Sequence, residues 1–65
     1  MLSQKRFKTI MHDKNLKPYI VRTHIFSRGL YLTLGLLKEN EPIEILTCLM
    51  PYSVGVKIIN DWKEV

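Results

Sequence analysis

The sequence predicts a mainly β fold, a small antiparallel meander of four or five strands forming one domain over residues 1–65. Three features carry that expectation. Leucines recur at every second position from Leu30 to Leu36, which puts them on one face of a strand. Residues 19–26 and 43–50 are rich in β-branched, aromatic and aliphatic side chains, the composition of half-buried strands. The connections between these runs are short, and short connections join antiparallel neighbours.

The amino-terminal segment, residues 5–12, fits two structures. As a strand from Arg6 to His12 it hairpins through Asp13-Lys14-Asn15 onto the next run. As a helix it is capped by Ser3 and turns Phe7, Ile10 and Met11 inward, which makes the alternative fold α+β with an amino-terminal helix on the sheet. Pro18 suits the start of a strand, having a fixed φ and no N–H to donate. The strand 19–26 (YIVRTHIF) follows, with Arg22 and His24 on one alternate set. Ser27-Arg28-Gly29 supplies a tight turn in which glycine takes a positive φ. Strand 30–37 has Leu30, Leu32, Leu34 and Leu36 on its core side and Tyr31, Thr33, Gly35 and Leu37 on the other.

Lys38-Glu39-Asn40-Glu41-Pro42 is polar and turn-like, and strand 43–50 follows it. Residues 54–59 (VGVKII) alternate as a short final strand, because Gly55 and four β-branched residues weaken a helix there. The same residues also fit a helix capped by Ser53, with Ile58, Ile59 and Trp62 on one side. Opposite the leucine face, Ile20, Phe26, Tyr31, Leu37, Leu46 and Met50 are expected to form a second apolar face. Each large side chain gains about 1.5–3 kcal/mol from burial, so that face needs a cover: the amino-terminal segment, sheet closure, a second copy or a target.

Composition excludes several classes. With 46% hydrophobic and 25% charged residues the chain reads as globular, not as a disordered tail. One cysteine excludes an internal disulfide, and no Cys/His spacing matches a zinc set. No glycine-rich phosphate loop occurs, so no cofactor is expected. The longest uncharged stretch, 45–56, is twelve residues and contains Pro51, so no membrane span is expected. The start, MLSQKRFKTIMHDK, has no apolar run after its charges and does not read as a secretory signal.

Catalysis needs a nucleophile, a base and an orienting group. Cys48 with His24 on a shared outer face is the one pair that could be drawn, and Cys48 reads more simply as a small buried hydrophobe. An enzyme is therefore not expected.

Charge is strongly divided. Residues 1–28 carry seven bases (Lys5, Arg6, Lys8, Lys14, Lys17, Arg22, Arg28) against Asp13, while residues 29–65 carry three bases against five acids. Lys5, Arg6, Lys8, Arg22 and Arg28 are the candidate basic contacts, and Tyr19, Phe26, Tyr31 and Trp62 the candidate aromatic anchors. Glu39, Glu41 and Glu44 form an alternative contact, a carboxylate-rich hairpin tip able to mimic phosphate positions.

From Gly29 to Asp61 the G-L-Y-L-T-L-G-L-L run, E-N-E-P turn, I-E-I-L-T strand and K-I-I-N-D-W end resemble the β-meander of small accessory proteins carried by phages, plasmids and conjugative elements. The resemblance implies a mobile-element protein in the host cytoplasm, from a group that includes anti-CRISPR and anti-restriction inhibitors. The expected function is a non-catalytic binding protein that occupies the surface of a host nucleic-acid enzyme or ribonucleoprotein. The alternative is a small basic nucleic-acid-binding module. Self-association into a homodimer, by an edge strand or by the second apolar face, is expected beside either.

Overall fold

A computed structural model describes residues 1–37 and 45–62. The order of elements is α1 (Gln4–Asp13), β1 (Pro18–Phe26), β2 (Gly29–Leu37), β3 (Ile45–Pro51) and α2 (Tyr52–Asp61). The strands form one antiparallel sheet in the order β1-β2-β3, and the two helices pack on its leucine face. This is a mixed α+β fold with three strands, the alternative named above, rather than a meander of four or five.

α1 forms as its cap predicts. The Ser3 hydroxyl accepts the Arg6 N–H at 3.2 Å, and Phe7 and Met11 turn into the core. The helix ends in a Schellman turn: Leu16 N–H donates to the Met11 carbonyl and Asn15 N–H to the His12 carbonyl. Asn15 takes φ 51 there, a left-handed conformation that asparagine tolerates better than most residues. The strand reading of residues 5–12 is thereby excluded.

β1 and β2 are joined through Ser27-Arg28, with Phe26 opposite Gly29 at φ 125. Leu32, Leu34 and Leu36 are fully buried, and with Phe7, Cys48 and Met50 they fill the core between sheet and helices. The faces differ from expectation in β1 and β3. Leu46, Cys48 and Met50 stand opposite Leu36, Leu34 and Leu32, so they belong to the leucine face. Ile20 stands opposite Leu34 and joins it too, because a bulge between Ile20 and Arg22 inserts one residue and reverses the alternation. The strand expected over 43–50 is observed as Ile45–Pro51; residues 43 and 44, and residues 38–42 where a turn was expected, lie outside the described residues.

Residues 54–59 are helical, not a strand. β3 runs directly into α2 through Pro51, which is the N-cap in place of Ser53 and makes no side-chain cap bond. Gly55 is the reason the helix sits so close to the sheet. A Cβ there would lie 2.8 Å from Leu32 Cδ1, inside a packed core. The glycine that lowers helix propensity is the residue that permits the contact. Burial of Ile58 beneath the same helix outweighs the propensity cost of about 1 kcal/mol.

Candidate binding face

The second face of the sheet is left open by both helices. The register places Tyr19, Arg22, His24 and Phe26 of β1 beside Tyr31, Thr33 and Gly35 of β2 and Thr47 and Leu49 of β3. His24 and Phe26, two residues apart, project from the same side of the strand. Their rings are 5.3 Å apart and nearly parallel at 15°. Tyr31 abuts Phe26 across the hairpin, also at 5.3 Å, tilted by 50°. His24 is oriented from below, since its Nε2 shares a 2.7 Å hydrogen bond with Thr33 Oγ1. Thr33 is buried, so its hydroxyl needs that partner, and the bond in turn fixes the imidazole. Phe26 stays 46% exposed. Arg22, directly opposite Thr33, is exposed beside the aromatic row.

The basic residues singled out from the sequence do not form one surface. Lys5, Arg6 and Lys8 are exposed on α1, behind the leucine face, whereas Arg22 lies on the open face and Arg28 in the β1–β2 turn. Three of the four aromatic candidates, Tyr19, Phe26 and Tyr31, share the open face. Tyr19 lies toward the far end of β1, over Gly35. Trp62 does not join them: it is the C-cap residue of α2, half-buried against the core on the opposite side. Glu39, Glu41 and Glu44 lie outside the described residues. His24 and Thr33 were missed as site residues. Their signal was the two-residue spacing of His24 and Phe26, together with the short turn that brings β2 back alongside them.

Cys48 and His24 are on opposite faces, because Cys48 pairs with Leu34 and His24 with Tyr31. A thiolate–imidazole pair is thus excluded. The Cys48 thiol is buried and donates to the Leu49 carbonyl at 3.6 Å. Burial pushes its pKa above the ordinary value of 9.0, with the amino-terminal charge pulling weakly the other way. Between 9.0 and the raised value, the unfolded chain binds fewer protons than the folded one, so stability falls as pH rises. Thermal melts should therefore show an alkaline decline in the parent that is smaller in Cys48→Ala, whose constant deficit appears already at neutral pH. Equal declines would show that the thiol does not contribute.

Between α1 and α2 lies an open groove of ≈ 620 Å³, with Lys8, His12, Lys57 and Asp61 at its rim above Met11 and Ile58. Among the described residues no three His, Cys, Asp or Glu side chains are grouped to hold a metal ion. No described helix is long and apolar enough to cross a membrane.

The fold is thus a two-layer α+β unit with one sheet face covered and one presenting an aromatic and basic row. No family model matches the chain, and no curated protein or solved structure matches it either. The likeness over residues 29–61 to mobile-element accessory proteins consequently rests on those residues alone.

Proposed function

We propose that the protein is a non-catalytic binding module that holds single-stranded nucleic acid on the open face of its sheet. One observation carries the reading: the His24–Phe26–Tyr31 row beside Arg22, on a face that neither described helix covers. Aromatic side chains offer stacking surfaces that any base can use. A guanidinium beside them suits the phosphates that connect successive bases. Among the described residues, none of the three strands contains Asp or Glu, so no carboxylate within them repels a polyanion. Arg28 in the adjacent turn extends the positive potential past Phe26.

Fluorescence anisotropy with labelled single-stranded and duplex oligonucleotides, at several salt concentrations, tests this. Single strands are expected to bind more tightly than duplex, with a log–log salt slope of about 0.7 per phosphate contacted. Phe26→Ala should weaken binding by about 1–3 kcal/mol with the slope unchanged. Arg22→Ala should reduce the slope by about one contact. If no oligonucleotide binds at low salt, the nucleic-acid reading fails. A nuclease-resistant complex with a host nucleic-acid enzyme would then make this face an inhibitor's contact surface, the role that the mobile-element resemblance implies.

A further inference from the structure

Among the described elements, the outer edge of β1 has no neighbouring strand. At the other edge, the Leu2 N–H donates to the Thr47 carbonyl at 2.8 Å and α1 packs against β3. β1 pairs with β2 alone, which leaves the outward N–H and C=O groups of alternate residues without a strand partner among the described elements. α2 lies over the sheet and reaches β1, yet it leaves the apolar side chains toward that edge exposed. Ile25 is 84% exposed, Ile20 50% and Leu30 47%, although all three lie on the leucine face. An apolar strip therefore runs along an open ladder.

We propose that this edge pairs with β1 of a second copy, antiparallel about a two-fold axis at His24, giving a continuous six-stranded sheet. A second copy fits because the pairing segment is self-complementary. The bulge ends regular alternation between Ile20 and Arg22, and the turn begins after Phe26, so the usable stretch is Arg22–Phe26. Its midpoint is His24. An axis normal to the sheet there keeps the two helix-covered faces on one side, as opposed residues in an antiparallel pair require. Thr23 then opposes Ile25 of the second copy, and Arg22 opposes Phe26, a cation against an aromatic ring. His24 meets its own copy at the axis. Moving the axis to Ile25 would set Arg22 against Arg28, and moving it to Thr23 would set Ile25 and Phe26 against Val21 and Ile20, across the bulge. Charge and the bulge thus select the same register as the length of the segment.

The pairing does not depend on what the open face binds, yet it would join two such faces side by side. The contact is small beside the roughly 1,200–2,000 Å² of a stable complex, so the dimer is expected to dissociate on dilution. Sedimentation of the parent should show a mass rising from 7.7 kDa toward twice that value as concentration increases. Ile25→Lys should stay at 7.7 kDa throughout while melting like the parent, because the side chain it replaces is exposed. A mixture of Thr23→Cys and Ile25→Cys chains should cross-link under mild oxidation far more than either chain alone, since only the mixture opposes two new thiols. A parent that remains at 7.7 kDa at every concentration overturns the proposal, as does an Ile25→Lys variant that still dimerises. Cross-linking no greater in the mixture than in the separate chains overturns the register.

Discussion

Leu34→Asp is expected to abolish cooperative folding. Leu34 is fully buried at the centre of β2, with Ile20 opposite it on one side and Cys48 on the other. The substitution removes a side chain whose burial is worth about 1.5–3 kcal/mol. It also places a carboxylate in a core with no cation opposite it, at a cost of several kcal/mol. A single core of this size supplies no more than about 3–5 kcal/mol in total, so the loss exceeds what the fold has. Thr33→Asp, one residue earlier, is the informative contrast. Thr33 is also buried, but it lies on the open face against His24 and opposite Arg22. A carboxylate there gains an imidazole partner and a nearby guanidinium, so a cooperative melt at reduced temperature is expected. Circular-dichroism melts of both variants beside the parent check this. A Leu34→Asp protein that melts like the parent would show that the leucine face is not the core.

Phe7→Ala carries the next largest expected effect, about 3–5 kcal/mol. Phe7 has no exposed surface and is the largest side chain that α1 contributes to the core. Beside Met11 it holds a ten-residue helix that is too short to persist alone. The helix and the Leu2 contact to β3 should be lost together, and a urea midpoint near zero denaturant is the expected reading. Lys8→Ala, the adjacent exposed position, should change stability by no more than about 0.5 kcal/mol. If the two variants unfold at the same urea concentration, α1 is not docked on the sheet.

The sequence by itself determined the parts of the molecule whose signals are local. The period-two leucines declare the core side of β2, and Pro18 with Ser27-Arg28-Gly29 bounds β1. Ser3 with Phe7, Ile10 and Met11 was legible as a capped amphipathic helix, though Arg6 to His12 could also be drawn as a strand hairpinned through Asp13-Lys14-Asn15. For the candidate site, Arg22, Tyr19, Phe26 and Tyr31 were legible as residue types, because exposed aromatics and arginine suit recognition on any scaffold.

Tertiary structure decided the rest, for one physical reason: these choices depend on what lies opposite each segment. Val54, Val56 and Ile58 alternate as in a strand, while Val54, Ile58 and Trp62 recur as in a helix. Only the Leu32 surface, which a helix can approach through Gly55, favours the second pattern. The bulge between Ile20 and Arg22 has no signature of its own, yet it sets which side of β1 faces the helices. Pairing across strands then moved Leu46, Cys48 and Met50 into the core and separated Cys48 from His24. The aromatic row followed from the same register, since a ring becomes a neighbour only when the opposite strand brings it alongside.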